Sequence, residues 1–263
     1  MTIEEVGANP RKLAKAIFDQ LAGLAPPIPV HDIARALDIA EIRVVELDGL
    51  EGCLLTDQNK DRGAILVNAA SGARRVRYTI GHELGHFLNP WHWPVEEGGF
   101  LCSRHDMVAP RGAETHRRQE REANTFSIEL LTPRSMLRPH LSPEADLRHV
   151  VAMADRFDIS KEAAARRYVE LHDERIAIVF AVDDRIRYVA RSEGFPRLAR
   201  WMGDPVIEMP QRPSDASGLS GLDEVNANLW LAHPGGIELY AQALYQSEQY
   251  AMVMLVCEAA DEE

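Results

Sequence analysis

His82, Glu83 and His86 stand in the order H-E-x-x-H. On a helix, residues four apart are turned by about 400°, a net of about 40°, and rise by about 6 Å. Two imidazoles so placed can point at one metal ion. Glu83 lies about 100° round from His82, where a carboxylate reaches a water on that ion without ligating it. Zinc takes neutral imidazole nitrogens and prefers four ligands, so two histidines leave room for a third protein ligand and a water. The chemistry this predicts is hydrolysis of a polarised carbonyl, with the ion lowering the pKa of the water and Glu83 taking its proton. Gly85 inside the pentapeptide costs a helix about 1 kcal/mol relative to alanine, which points to close approach of a neighbouring chain segment.

The third ligand has rivals. His92 falls at the last position of the H-E-x-x-H-x-x-G-x-x-H pattern, with Asn89 in place of the glycine. Asparagine can adopt the left-handed turn that the glycine supplies. Pro90 after it favours extended backbone instead, which works against a return to the metal. The other solution is a carboxylate from a later helix. QEREANTFSIELLTP, from Gln119 to Pro133, offers Glu120, Glu122 and Glu129. Its apolar stripe is Ala123, Phe126, Leu130 and Leu131, and Glu120 borders that stripe. Asn124 stacks one turn on and could hydrogen-bond a ligating histidine. Glu122 and Glu129 read as solvated charges. His116, one turn before Glu120, could face the same ion. On the residues alone Glu120 stands only slightly ahead of His92. Cys102 and His105 lie in the intervening loop, where His105 could fold over the site and Cys102 could fill the open zinc position.

These residues need elements to hold them. Helical spacing of apolar residues marks Pro10 to Leu24, Val30 to Leu37, Ala73 to Leu88 and Glu114 to Leu131. Between the second and third, EIRVVEL, GCLLTD and GAILVN predict a small three-stranded sheet. Asn89 to Glu114 reads as an irregular loop, long enough to be functional. Ser142 to His172 predicts two more helices, opened by an N-cap at Ser142, with FDISKEAAARRYVEL resembling the turn and second helix of a helix-turn-helix. From Arg175 onward a strand, a turn at Asp183-Asp184 and a strand are expected, with a last strand at YAMVMLVCEA. The expected organisation is α+β: a first domain over residues 1–141, a helical segment over 142–173 and a smaller α+β domain over 174–263.

The 263 residues carry 29 bases and 41 acids, for a net charge of −12. Eleven of the acids and one base, Arg212, fall between Gly203 and Glu263. From Glu144 to Arg167 the helical hairpin carries five acids and five bases and is neutral. A net-acidic chain is a poor partner for phosphate backbones, so direct nucleic-acid binding is not expected. Three widely spaced cysteines form neither a disulfide framework nor a CxxC knuckle, which suits a reducing compartment. The N-terminal stretch lacks a basic-then-apolar leader, and no apolar run approaches the roughly 20 residues that span a bilayer. A cytoplasmic protein is expected.

RYTIGHELGHFL followed by EREANTFSIELLTP resembles the ImmA/IrrE family of zinc metallopeptidases, across about Arg77 to Pro133. Members show an H-E-x-x-H helix and then E-x-x-A-N-x-F-A-x-x-L-L-M-P. The resemblance implies a zincin-like peptidase fold, His82, His86 and Glu120 as zinc ligands, and Glu83 as general base. Ser127 and Thr132 stand where alanine and methionine are usual. It also implies Zn2+ as cofactor, with Mn2+ an alternative in the cell. The implied activity is limited cleavage of a helix-turn-helix repressor, relieving repression of stress-response or mobile-element genes. In the IrrE branch the later segments would be a helix-turn-helix-like piece and a GAF-like sensor domain taking a small ligand.

Overall fold

The computed structural model describes residues 6–21, 23–94, 99–108 and 112–259. They pack as two compact units. The first comprises Met1–Leu137 with Asp155–Ser160, the second Arg138–Ala154 with Lys161–Glu263. Residues 142–173 thus contribute to both units.

In the first unit, α1 (Pro10–Gln20) starts at Asn9, whose side chain accepts the Lys12 amide, with Pro10 at the first helical position. After α2 (Val30–Ala36) come β1 (Ile39–Val45), β2 (Gly52–Thr56) and β3 (Gly63–Asn68). Then follow α3 (Ala73–Leu88), β4 (Gly99–Cys102), α4 (Arg104–Val108), α5 (Glu114–Leu131) and α6 (Arg134–Leu137). The sheet has the order β1-β3-β2-β4. β1 runs parallel to β3, and the other pairs are antiparallel. In β3 the buried positions Gly63, Ile65 and Val67 alternate with half-buried ones, as a strand with one face on a core requires.

Two sequence expectations change here. The sheet has four strands, because Gly99–Cys102 pairs along β2, with Leu54 opposite Phe100. Four residues are too few for an alternation to stand out. The stretch from Asn89 to Glu114 is therefore not a plain loop: it contains β4 and α4. Its residues 95–98 and 109–111 lie outside the described residues.

Every residue of α3 from Thr79 to Phe87 is buried. β2 and β3 cover one side of the helix and α2 and α5 cover others. A helix buried all round must find partners for each polar side chain it carries. Its N-terminal half stays more open, and there Arg74 and Arg77 reach Asp155 and Asp158 at 3.0–3.4 Å.

The hairpin expected from Ser142 to His172 is α7 (Leu147–Phe157) and α8 (Lys161–Leu171). α7 begins four residues later than the Ser142 cap predicts. Ser142 Oγ is spent on the carbonyl of Glu144, while Asp146 Oδ1 accepts the Arg148 amide at the true start. The second unit also holds β5 (Ile176–Val182), β6 (Arg185–Arg191), β7 (Leu219–Val225), α9 (Ala227–Trp230), β8 (Ile237–Tyr245) and β9 (Tyr250–Ala259). The sheet is antiparallel throughout, in the order β6-β5-β9-β8-β7. Asp183 and Asp184 both take positive φ, 49° and 56°, which gives the tight turn of the β5–β6 hairpin. Trp230, Phe195, Leu239 and Leu255 lie in its core. The α+β class is observed in both units. Among the described residues no helix is long and apolar enough to cross a membrane.

Candidate metal centre

α3 and α5 pack side by side, and their contact is where Gly85 is needed. A Cβ at Gly85 would lie 3.1 Å from Phe126 Cδ1 and 3.2 Å from the Ala123 backbone. The close approach read from the pentapeptide is thus made by α5, and it brings Glu120 against the two histidines. His82 Nε2 is 3.1 Å from His86 Nε2. Glu120 Oε2 is 3.2 Å from His82 Nε2, and Glu120 Oε1 is 3.2 Å from His86 Nε2. Tetrahedral coordination with metal–ligand bonds of about 2.0–2.1 Å separates ligand atoms by about 3.3 Å, so the three spacings suit one small ion. Among the described residues, Glu120 Oε2 and Glu83 Oε1 are buried with no hydrogen-bond partner, although His82 Nε2 sits beside the former. Buried carboxylate oxygens without donors mark a place that lacks positive charge. Cys102 completes a buried group that could hold a metal ion, its sulfur within 4.8 Å of the ligand atoms of His82, His86 and Glu120. Two imidazoles, a carboxylate and a thiol form a donor set that a borderline-soft divalent ion accepts.

The groups around these atoms orient them. His82 Nδ1 lies 3.0 Å from Asn124 Oδ1, a carbonyl oxygen that only accepts, so Nδ1 carries a hydrogen and Nε2 faces the cluster. Tyr78 Oη donates to the same Asn124 oxygen at 2.8 Å, and Asn124 Nδ2 donates to the Asp106 carbonyl at 3.3 Å. His86 stacks on Phe100 of β4, with ring centroids 4.5 Å apart. Lys60 Nζ donates to the carbonyls of His86 and Asn89, both at 2.8 Å, closing the C-terminal end of α3.

Burial dominates the electrostatics. It pushes the Glu83 carboxyl up to about 7, against the opposing pull of the His82 charge and the Cys102 thiol. Burial drives His86 down to about 4 and His92 down to about 3. Burial would also raise Glu120, but the two imidazoles beside it, His82 and His86, outweigh that and hold it well below the usual carboxylate range. His82 is raised: burial would lower it, and the adjoining Glu120 carboxylate together with the Glu83 charge outweighs burial. Burial and the facing carboxylates raise Cys102 well above an ordinary thiol. Its Sγ lies 3.6 Å from Glu83 Oε2.

The other candidates are sorted by contact. His92 does not join the ligand group. Its Nδ1 faces His86 Nδ1 at 3.1 Å and its Nε2 faces Glu122 Oε2 at 2.9 Å. His116 bonds Asp106 at 3.2 Å and stays 3.9 Å from Glu120. His105 is exposed on α4. Glu122 and Glu129, read as solvated, are not: Glu122 is half-buried on His92, and Glu129 is buried against Arg11 at 3.2 Å. Helical periodicity places a side chain on a face but does not say which loop covers that face. Sequence reasoning also missed Gly52. A Cβ there would lie 2.5 Å from Glu83 Oε1 and 2.5 Å from Thr79 Cγ2. The missing side chain makes the room in which Glu83 sits.

A family model described as Peptidase_M78, IrrE N-terminal-like domain, matches residues 38–168. This span contains the sheet, α3, α5 and the whole candidate centre. Among solved structures, a Mycobacterium tuberculosis transcriptional regulator aligns with a TM-score of 0.54 at 11% identity, covering 94% of this chain and 87% of that one. At that identity the likeness is one of fold. No curated protein matches. With the two motifs folded into one buried site inside the matched span, the chain belongs, through residues 38–168, to the ImmA/IrrE family.

Proposed function

We propose that the chain is a cytoplasmic zinc-dependent endopeptidase that cuts one protein substrate, a helix-turn-helix repressor, and so relieves repression of stress-response or mobile-element genes. The observation that carries this reading is the trio of His82 Nε2, His86 Nε2 and Glu120 oxygens at 3.1–3.2 Å spacing, with the partnerless Glu83 oxygen on the same helix. His82, His86 and Glu120 would hold the ion, Zn2+ or in its place Mn2+. The bound ion would supply Lewis acidity, polarising the scissile carbonyl and making a coordinated water acidic at neutral pH.

The residues of the chain do the rest. Glu83 is fully buried on the same helix as His82 and His86, a position that suits a group that takes a proton and then gives it to the leaving amine. Gly52 leaves its carboxylate room, and no hydrogen bond occupies Oε1. Asn124 holds His82 through Nδ1, so its other nitrogen is free for the ion. The five-stranded second unit, with the acidic segment from Gly203 onward, is assigned the regulatory role, as a GAF-like sensor of a small ligand. Small metabolites that bind the full chain in a thermal-shift screen should include one that alters cleavage; binders that never change the rate would count against that role.

A second reading has one observation in its favour. Cys102 lies with the ligand group and its thiol engages Glu83 at 3.6 Å. A thiolate in the fourth position would close the site, and the chain would then capture its partner without cutting it. The deciding experiment incubates zinc- or manganese-loaded protein with a helix-turn-helix repressor encoded beside its gene, and reads intact mass. One pair of fragments is expected, absent with a Glu83→Gln variant that retains its metal. Cleavage by that variant would remove Glu83 from its role. Binding of the repressor without any fragment supports the second reading.

A further inference from the structure

His92 and Glu122 are bonded in line behind His86. Glu122 Oε2 lies 2.9 Å from His92 Nε2. A carboxylate oxygen accepts, so His92 Nε2 carries a hydrogen. The other nitrogen of that ring is 3.1 Å from His86 Nδ1, a gap that one hydrogen bridges. A neutral His92 with its hydrogen on Nε2 has a bare Nδ1. The bridging hydrogen then belongs to His86 Nδ1, and His86 turns a bare Nε2 toward His82 and Glu120.

We propose that Glu122 and His92 form a hydrogen-bonded relay that locks His86 in the tautomer able to bind the metal, so that both are positioning residues and neither is a ligand. This rests on the metal-site reading above. The relay is held from several sides. His92 is 1% exposed. Asn89 Nδ2 donates to the same Glu122 oxygen at 3.2 Å, and Arg118 Nε lies 3.9 Å from the other. Asn89 also shapes the return of the chain: its carbonyl accepts the His92 amide at 3.2 Å and its side-chain oxygen accepts the Trp91 amide at 3.0 Å. Asn124 does for His82 what His92 does for His86, so each of the two histidines is fixed through Nδ1. Partners of this kind typically set metal affinity by about 10–100-fold.

The test uses the full chain. Long-range 15N–1H correlation of the metal-free protein reports which nitrogen of His86 bears the hydrogen, and competition with a chelating dye gives the zinc dissociation constant. In the wild type the hydrogen is expected on His86 Nδ1. His92→Phe keeps the ring volume and removes the acceptor. It should release the tautomer and weaken zinc binding by about 10–100-fold. Glu122 is part-exposed, so Glu122→Ala should fold and show the same change more weakly, while Glu122→Gln, which keeps an accepting oxygen, should restore wild-type behaviour. A mere packing role would lower thermal stability and leave the tautomer alone. A hydrogen on His86 Nε2 in the wild type, or a His92→Phe protein with unchanged tautomer and affinity, overturns the relay. A full chain that binds no zinc overturns the metal reading itself, whatever the tautomer.

Discussion

On the proposed peptidase reading, adding one methyl group at Gly52 tests whether β2 positions Glu83. The backbone there is ordinary, so alanine is conformationally acceptable and the effect is steric. The new Cβ would lie 2.5 Å from Glu83 Oε1 and 2.5 Å from Thr79 Cγ2. Ordinary carbon contacts begin near about 3.5 Å, so about 1 Å must be found on each side. Thr79 is β-branched, buried and on a helix, and its χ1 is stiff. Glu83 is the softer neighbour: among the described residues Oε1 has no hydrogen-bond partner, and Oε2 is held by the Cys102 sulfur at 3.6 Å. The carboxylate therefore moves, by about 1 Å, and a displacement of that size costs a catalytic group about 100-fold in rate. The overpacking costs about 1–3 kcal/mol of stability. The assay is repressor cleavage under saturating substrate, with zinc content and thermal unfolding measured on the same samples. Gly52→Ala should lose about 100-fold in kcat, keep its zinc, and unfold earlier. Adding Thr79→Ser removes Cγ2 and should return stability without returning activity, because the contact with Glu83 remains. Wild-type kcat in Gly52→Ala would refute the placement of Glu83. Loss of zinc along with activity would show that the strain passes into α3 instead of being absorbed by the carboxylate.

Two further outcomes are expected. Gly85→Ala puts its Cβ 3.1–3.2 Å from Phe126 and Ala123; the overpacking, partly offset by better helix propensity, should cost a net of about 1 kcal/mol, read as a lower denaturant midpoint at unchanged slope. The three cysteines are buried and unpaired, and burial raises Cys53 and Cys257 to about 11. At pH 8 each holds about a hundredfold less thiolate than an ordinary cysteine, so a thiol reagent should label the native protein far more slowly than the denatured one, with the rate rising towards pH 11. Fast labelling of native Cys53 at pH 8 would contradict that burial.

What could be read without the fold follows from where each partner lies in the chain. His82, Glu83 and His86 share one helical turn, so their spacing in sequence is their spacing in space, and Glu120 follows from the periodicity of a second helix read together with the resemblance. Gly52 had no such signal: in GCLLTD it looks like any glycine at the edge of a strand, and only the arrival of α3 gives it a purpose. Lys60 is the same case, a lysine in a polar turn until the end of α3 comes within 2.8 Å. Asn89-Pro90 is more instructive. Proline was expected to hold Asn89 extended, and it does, at φ −79° and ψ 114°. An extended Asn89 does not, however, carry the ring away from α3. An extended residue can open a turn whose second position is proline, and here the Asn89 carbonyl accepts the His92 amide across it. His92 therefore does come back to His86, but to the nitrogen that faces away from Glu120. A local rule fixed the backbone of one residue correctly; which atom the returning ring would meet depended on Glu122, two residues past the candidate ligand that α5 offers, and on the way α5 packs against α3.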